Sequence, residues 1–236
     1  MRKIMSLMRR AVQDYNMIEA GDRIAVGVSG GKDSVTLLFA LAKLRRYYPK
    51  PFEIVAVTLD AEFGGVEGDF SEIERLCHEL EISYILKRTE IGNILFNIRQ
   101  EKNPCSLCAK MRRGMLHDIA VENGCNKVAL GHNLDDAAET FMMNLLNGSR
   151  IGCFSPVTYL SRKNLTMIRP LIYATENQTL ATAKMEGLPI VKNPCPANGA
   201  TERQHVKELL RSLDSEYHDV KNRIVTGMKT AHTDGW

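Results

Sequence analysis

Val26-Gly-Val-Ser-Gly-Gly-Lys-Asp-Ser34 joins a short apolar run to a series of apolar residues at helical spacing. Its glycines let backbone N–H groups approach an anion closely, and the start of the following helix adds partial positive charge. Lys32 supplies a point charge, and the hydroxyls of Ser29 and Ser34 can donate hydrogen bonds to phosphate oxygens. We therefore predict a pyrophosphate-binding loop. Its members are Ser29, Gly30, Gly31, Lys32, Asp33 and Ser34.

The spacing within this loop differs from that of two better-known nucleotide-binding loops. The loop matches neither Gly-x-x-x-x-Gly-Lys-Ser/Thr nor Gly-x-Gly-x-x-Gly, which disfavours a kinase and a dehydrogenase. The simpler alternative is a glycine-rich turn that binds nothing. We disfavour that alternative because Ser, Lys, Asp and Ser occupy the remaining positions between residues 29 and 34.

The rest of the chain alternates β-prone runs with helical patterns. The predicted strands cover residues 23–28, 52–59, 82–86 and 127–130. The predicted helices cover residues 5–12, 35–44, 71–81, 103–123, 133–147, 175–186 and 201–213, with an irregular connector at 148–164 and a proline-rich turn at 193–198. Strands and helices in this order imply right-handed crossovers. We therefore expect a doubly wound α/β fold, with a parallel sheet and helices on both faces.

The composition is that of an ordinary folded protein, with 44% hydrophobic and 25% charged residues and a net charge of +3. Because 236 residues is near the upper limit for one uninterrupted core, we expect one main domain with appendages. We assign 1–18 to an N-terminal helix packing on it, 19–215 to the loop-bearing domain with an inserted Cys-x-x-Cys helix, and 216–236 to a C-terminal helix or tail. The sequence shows no signal region and no membrane span, so we expect a cytoplasmic protein without a membrane partner.

A second motif runs from a predicted strand into a helix, as Leu130-Gly-His-Asn-Leu-Asp-Asp-Ala-Ala-Glu139. Asn133 is placed as the N-cap and Asp136 occupies the capping-box position, which gives Asp136 a structural explanation. Asp135 is placed at the carboxyl end of a parallel strand, where open α/β sheets bind ligands. We predict that it holds Mg²⁺ or acts on the substrate. His132 is either a ligand contact or a packed histidine, and the sequence leaves both open.

The cysteines fall into two groups. Without a secretory signal they should stay mostly reduced, so closely spaced pairs indicate metal or redox ligands. Cys105 and Cys108 open a predicted helix, where we expect their thiols to share one face and have depressed pKa values. Cys195 lies between two prolines in a rigid turn. Three thiolates suit a [4Fe–4S] cluster, whereas structural zinc normally takes four protein ligands. The cysteines that we interpret as structural are Cys77, Cys125 and Cys153.

The loop at 29–34 resembles the signature of the PP-loop (N-type) ATP pyrophosphatases, which cleave ATP between the α and β phosphates and form an adenylated carbonyl or carboxyl. The order of motifs is more specific: the loop, Cys105-x-x-Cys108, Gly131-His-x-x-Asp-Asp136, Ile168-Arg-Pro170 and Cys195. This order resembles the tRNA 2-thiocytidine synthetase family from the first strand to the last helices. In that family the late cysteine is often followed by another three positions on, where this chain has Asn198.

The resemblance implies cofactors and roles for named residues. It implies ATP with Mg²⁺, and a [4Fe–4S] cluster held by Cys105, Cys108 and Cys195. These three cysteines, Lys32 and Asp135 are the implied catalytic residues. Beside the phosphate loop, the implied nucleotide-binding residues are Asp60, Gly131, His132, Asp136 and Arg169. For Arg169 a simple surface cation is the alternative.

The implied reaction is thiolation of tRNA, in which ATP adenylates the C2 oxygen of a cytidine and sulfide on an open iron displaces AMP. The sulfur comes from a cysteine desulfurase or another sulfide source, and a homodimer is left open. Lys110, Arg112 and Arg113 would follow tRNA phosphates, although such clusters are also typical of a solvated surface. Three alternatives stay open: a tRNA ligase of lysidine-synthetase type with a zinc site, an iron–sulfur-dependent 2-thiouridine transferase, and a non-catalytic nucleotide-responsive RNA-binding protein.

Overall fold

The computed structural model describes residues 1–101, 104–192, 194–196 and 202–236. The strands are β1 (Asp22–Gly27), β2 (Phe52–Asp60), β3 (Ser83–Arg88), β4 (Lys127–Ala129), β5 (Val157–Leu160) and β6 (Leu165–Ile168). The helices are α1 (Arg2–Asp14), α2 (Lys32–Arg45), α3 (Ser71–Glu79), α4 (Ile91–Asn93), α5 (Pro104–Glu122), α6 (Leu134–Gly148), α7 (Glu176–Met185), α8 (Glu202–Tyr217) and α9 (Val220–Thr230). Short 3₁₀ turns lie at Phe63–Gly65, Ser161–Lys163 and Thr233–Gly235, and a π-helical turn at Ile94–Ile98 continues α4.

Within the described residues, six strands form one sheet in the order β3-β2-β1-β4-β6-β5. β1 pairs in parallel with β2 and β4, and β3 and β6 extend the parallel part outward. β5 runs antiparallel to β6. The chain moves outward in one direction from β1 to β3 and then continues from β4 on the other side of β1. The expected doubly wound α/β fold is confirmed, and its switch point lies between β1 and β4.

Successive residues of β1 pack on opposite faces of the sheet. Ile24 and Val26 belong to the larger core cluster, to which the inward faces of α1, α2, α6 and α7 contribute. Ala25 belongs to a second cluster, in which Leu116 and Ile119 of α5 pack on the sheet. A strand buried on both faces is what a parallel sheet with two helical layers requires.

Most predicted elements are present within a few residues of their predicted bounds, but the connector prediction for residues 148–164 was wrong in part. The chain forms β5 there and a 3₁₀ turn that leads into β6, which was also not predicted. Each of these strands has four residues, and β5 is only partly buried, so neither shows a clear alternation in the sequence. Two bounds of predicted helices lie outside the described residues, namely 103 and 201. The same is true of three residues of the predicted proline-rich turn: 193, 197 and 198.

The two ends of the chain pack on the loop-bearing part of the fold. Ile4, Met8, Ala11 and Val12 recur at helical spacing and are fully buried, so α1 packs against α2 and α7. At the other end, α8 and α9 pack against α6. The division of the chain into 1–18, 19–215 and 216–236 stays a prediction. In the described part of the chain, no helix is both long and apolar enough to cross a membrane.

Candidate functional site

A cavity of about 560 Å³ opens at the carboxyl ends of β1 and β4. This volume lies within the usual range for a small-molecule site, and the position is the switch point of the sheet. Part of the lining is apolar and comes from Val57, Leu59, Leu116 and Leu130. Another part carries hydroxyls and cations, from Ser29, Ser34, Arg112, Arg113, Arg169 and Arg203. The lining therefore suits a molecule with an apolar ring and an anionic tail.

The predicted phosphate loop folds around the hydroxyl of Ser34. This oxygen accepts a hydrogen bond from the backbone N–H of Ser29 at 3.1 Å and lies 3.1 Å from the Ser29 hydroxyl. It donates in turn to the carbonyl of Gly31, the N-cap of α2, at 2.9 Å. Ser29, Asp33 and Ser34 line the cavity. Two hydroxyls and the start of α2 thus lie together at its edge.

Position 30 requires a glycine because of its backbone conformation and because Val191 packs closely against it. Its φ is +83°, a left-handed conformation that strains residues with side chains. A Cβ at this position would lie 2.9 Å from the Cβ of Val191, whose backbone N–H donates to the Gly30 carbonyl at 3.0 Å. The loop is therefore joined to the segment that precedes Cys195.

Asp33 connects the loop to two other elements. Its Oδ1 accepts hydrogen bonds from Asn133 Nδ2 at 3.2 Å and from Thr179 Oγ1 at 2.5 Å. Its Oδ2 accepts from Lys32 Nζ at 2.8 Å, and Lys32 also donates to Glu176 at 3.1 Å. Burial lowers the pKa of Lys32, but the two carboxylates outweigh this effect and the net pKa is raised. Lys32 is thus a cation shared between the loop and α7.

The second motif forms the predicted capping box at the start of α6. Asn133 Oδ1 accepts from the backbone N–H of Asp136 at 3.0 Å, and Asp136 Oδ2 accepts from the backbone N–H of Asn133 at 3.0 Å. The structural explanation of Asp136 is confirmed. Gly131 and His132, immediately before the cap, line the cavity.

Asp135 joins three helices with both of its carboxylate oxygens. Oδ2 accepts from the backbone N–H of Glu176 in α7 at 2.7 Å, and Oδ1 accepts from Lys221 Nζ in α9 at 2.5 Å. The residue is 9% exposed. Its predicted role as a Mg²⁺ ligand or catalytic group stays a prediction, and in that role the carboxylate would be shared with Lys221 or released by it.

His132 and Arg169 form one wall of the cavity with Phe154. The ring centroids of His132 and Phe154 are 4.9 Å apart, and the Arg169 guanidinium lies 4.9 Å from the Phe154 centroid. Burial, reinforced by Arg169 and Arg203, lowers the pKa of His132 to about 3, so its ring is neutral at pH 7. Arg169 is 4% exposed and donates to the carbonyl of Ser155, so it is not a simple surface cation.

Asp60 holds the turn that follows β2. Its Oδ1 accepts from the backbone N–H of Glu62 at 3.1 Å, and its Oδ2 accepts from that of Gly68 at 2.7 Å. The side chain is buried. Because both oxygens are engaged by the backbone, this geometry supports a structural role, and nucleotide binding by Asp60 stays a prediction.

Arg203 is a cavity residue that the sequence did not reveal. From the first turn of α8 it contacts Asp136 at 3.5 Å, Glu139 at 3.3 Å and Thr140 at 3.3 Å, while it lines the cavity. These partners are 63 to 67 positions away in the chain. Its one signal in the sequence is a cation near the start of a predicted helix that follows Cys195.

The three candidate cysteines belong to one region beside the cavity. Cys108 and Cys195 pack on the same apolar cluster, formed by Ala61, Phe63, Ile91 and Leu95. The thiols of Cys105 and Cys195 both act electrostatically on that of Cys108. Three thiols in one neighbourhood, bordered by apolar side chains, fit the donor set of an iron–sulfur cluster. Among the described residues, no three His, Cys, Asp or Glu side chains are arranged as ligands of a single metal ion.

The prediction of a depressed pKa was wrong for Cys108. Burial raises the pKa of this thiol, and although the guanidinium of Arg112 lowers it, Cys195 and Cys105 raise it further. Helix position alone predicted the opposite, because the sequence does not show that the apolar residues around α4 cover this thiol. Arg112 also lines the cavity, so one cation faces both the cysteine region and the cavity.

The other cysteines are buried, as their structural interpretation requires. Burial raises the pKa of Cys77 and of Cys153 to about 12. The thiol of Cys153 donates to the carbonyl of Ala137 at 3.4 Å. Thiols that stay protonated in this way are poor metal ligands.

Comparisons with known proteins agree with these features. Residues 3–213 match a family described as the PP-loop domain. The chain is 38% identical over 227 residues, 95% of this chain and 87% of the relative, to a tRNA-cytidine(32) 2-sulfurtransferase of Syntrophotalea carbinolica. It is 38% identical over 233 residues, 96% and 89% of the two chains, to a protein of the same name from Geobacter metallireducens. Among solved structures, the chain is similar to that of the U34-tRNA thiolase NcsA from Methanococcus maripaludis with its [4Fe–4S] cluster. The TM-score is 0.79 and the sequence identity is 26%, and the match covers 97% of this chain and 79% of that chain.

Proposed function

The chain belongs to the PP-loop domain family, and we propose that it is an ATP-dependent tRNA sulfurtransferase that replaces the C2 oxygen of a tRNA cytidine with sulfur. One observation carries this proposal. The helix α5 contributes Ala109 and Arg112 to the cavity lining and carries Cys105 and Cys108 one turn earlier. The nucleotide and the sulfur donor can therefore meet at one helix.

In the first half of the reaction, the chain binds ATP and activates an oxygen. The C2 oxygen of the cytidine attacks the α-phosphorus, the bond to the β-phosphate oxygen breaks, and pyrophosphate leaves. The hydroxyls of Ser29 and Ser34 and the start of α2 are arranged to bind that pyrophosphate. Arg112 and Arg203 supply positive charge where negative charge develops. The products are an adenylated base and pyrophosphate.

In the second half, a sulfur nucleophile attacks C2 and the former C2 oxygen leaves with AMP. We assign Cys105, Cys108 and Cys195 as the residues that would hold a [4Fe–4S] cluster. Such a cluster, held by three thiolates, would have one iron without a protein ligand and would supply a site for an external sulfur atom. The apolar residues Phe63 and Leu95 beside this region limit the access of water, which competes with sulfur for the activated carbon.

The location of basic residues supports a route for tRNA across α5. Arg112 and Arg113 line the cavity, and Lys110 is exposed on the same helix. Further basic residues, among them Lys43, lie in the last turn of α2. This is the end of the helix that lies away from the phosphate loop. Lys43 lies 3.7 Å from Glu186, which reduces its availability. We therefore propose that phosphates of the substrate contact α5 rather than the end of α2.

Four further features belong to the proposal. Mg²⁺ accompanies the ATP phosphates, a cysteine desulfurase or another sulfide source supplies the sulfur, and the reaction takes place in the cytoplasm. The fourth feature is association of the chain as a homodimer.

The test is a thiolation assay under anaerobic conditions. Protein reconstituted with iron and sulfide is incubated with unmodified tRNA, ATP, Mg²⁺ and a sulfide source, and the digested tRNA is analysed by mass spectrometry. We expect 2-thiocytidine, formed in an ATP-dependent reaction. Thiouridine in its place would indicate the related transferase, and lysine attached to cytidine would indicate the lysidine-type ligase. An iron-loaded protein that binds ATP and modifies no tRNA would contradict the proposal.

A further inference from the structure

We propose that Glu176 and Lys207 form a counter-charge pair that holds Lys32 and releases it to the phosphates of a bound nucleotide. The pair would thereby set the affinity of the phosphate loop for ATP. This inference rests on the proposed function only in that the loop must bind ATP. Glu176 and Lys207 are positioning residues, because they act on the nucleotide through Lys32.

The three side chains form a continuous chain of charge. Glu176 Oε1 accepts from Lys32 Nζ at 3.1 Å, and Glu176 Oε2 accepts from Lys207 Nζ at 2.5 Å. The side chains of Lys32, Glu176 and Lys207 are 22%, 27% and 19% exposed, respectively. Charges shielded from solvent to this degree interact more strongly than those of an exposed ion pair.

Glu176 is ionised at neutral pH. Burial raises its pKa, but the hydrogen bonds from Lys207 and Lys32 outweigh burial and lower the pKa to about 2. Its position in the first turn of α7 also favours a negative charge. A permanent carboxylate at this position competes with phosphate for the ammonium group of Lys32.

Release of Lys32 from Glu176 leaves no charge without a partner. Breaking an ion pair of a carboxylate that is shielded from solvent is strongly unfavourable when the carboxylate is left without any positively charged partner. Here Lys207 stays on the other oxygen of Glu176. Asp33 stays with Lys32, because Asn133 and Thr179 fix the Asp33 carboxylate. Lys32 can therefore turn about Asp33 from one anion to another.

This arrangement predicts opposite effects for two substitutions in the same cluster. Glu176→Gln keeps the shape of the side chain and removes the competing charge, so the affinity for ATP should rise. Lys207→Met removes the second cation and leaves Glu176 more dependent on Lys32, so the affinity should fall. For a partly shielded ion pair we expect changes of about threefold to tenfold in each direction.

The experiment is calorimetric titration of the full chain with a non-hydrolysable ATP analogue and, separately, with pyrophosphate, both with Mg²⁺. The variants are Glu176→Gln, Lys207→Met and the double variant. When Lys207→Met is added to Glu176→Gln, it should have little further effect, because the competing charge is already gone. The matched control is Lys50→Met, which breaks the exposed pair of Lys50 with Glu19 and should leave the dissociation constants unchanged.

The outcomes separate this inference from a merely structural role. A variant that folds poorly lowers the number of binding sites in the titration, whereas the inference concerns the dissociation constant of the folded fraction. Weaker binding by both single variants, or unchanged binding by both, would overturn the inference while ATP binding by the wild type leaves the proposed function intact. A wild type that binds neither ligand would overturn both.

Discussion

Gly131 approaches the start of α2 so closely that a Cβ at position 131 would lie 3.0 Å from the backbone nitrogen of Ser34. The same Cβ would lie 3.1 Å from the carbonyl carbon of Asp33. These neighbours are backbone atoms of the phosphate loop and the helix that it starts, so they cannot turn away as a flexible side chain would. The loop after β4 and the loop after β1 therefore form one unit, which lines the cavity from both strands.

Gly131→Ala should separate the two loops and weaken nucleotide binding. Overpacking of this kind costs about 1–3 kcal/mol, so we expect a dissociation constant for ATP that is higher by about fivefold or more. Calorimetric titration measures this change. The control is Gly227→Ala on the exposed face of α9, where a Cβ meets open space and should stabilise the helix by about 0.5–1 kcal/mol. A Gly131→Ala variant that binds ATP like the wild type would show that the close approach does not matter for binding.

Substitution of the candidate cluster ligands should separate iron binding from nucleotide binding. In anaerobically reconstituted protein, Cys108→Ala and Cys195→Ala should each lose most of the iron, because the thiolate is the ligand. Both variants should still bind ATP, since the phosphate loop lies on other elements. Iron and sulfide analysis with the visible spectrum provides the measurement. Cys77→Ala, at a buried thiol of α3, should keep its iron. Normal iron stoichiometry in Cys195→Ala would refute the ligand assignment.

The half-buried ring of His132 should make the stability of the fold sensitive to mild acid. Its pKa is lowered to about 3 in the fold by burial first, and by neighbouring arginines, whereas a histidine in the unfolded chain titrates near its ordinary pKa of 6.5. As the pH falls from 7 to 5, the unfolded chain takes up a proton at this ring and the folded chain does not. The free energy of unfolding should therefore fall by up to about 2 kcal/mol through this group.

Chemical denaturation of the wild type and of His132→Asn at pH 7, 6 and 5 tests this sensitivity. The variant also loses the ring contact with Phe154, but that loss does not depend on pH. The informative quantity is the difference in unfolding free energy between the two proteins, which should shrink as the pH falls. A difference that stays constant from pH 7 to 5 would mean that the pKa of His132 is the same in the folded and the unfolded chain, and would contradict this prediction.

The sequence predicted those parts of the site that depend on residues close to one another in the chain. Ser29 and Ser34 lie five positions apart, and their hydroxyls meet because one loop and one helix start bring them together. The capping box of Asn133 and Asp136 is likewise confined to one turn. Such features depend on residue type and spacing within a few positions, so they can be read before any tertiary structure is known.

The sequence could not predict contacts that depend on how distant elements pack. Asp135 and Asp136 are adjacent, and neighbours on a helix point in different directions. The sequence alone did not show that Asp136 would reach Arg203 while Asp135 would join Glu176 and Lys221. The partners of Lys32 include a residue 144 positions away. These contacts are set by the packing of α7, α8 and α9 around the start of α6, which no local pattern encodes.

The most direct test of the account follows the oxygen atom that sulfur replaces. A tRNA with ¹⁸O at C2 of the target cytidine is incubated anaerobically with the reconstituted protein, ATP, Mg²⁺ and a sulfide source. The AMP released is then analysed by mass spectrometry. If the C2 oxygen is adenylated before sulfur arrives, the AMP carries one ¹⁸O for each thiolated cytidine formed. Thiolated cytidine accompanied by unlabelled AMP would contradict the account.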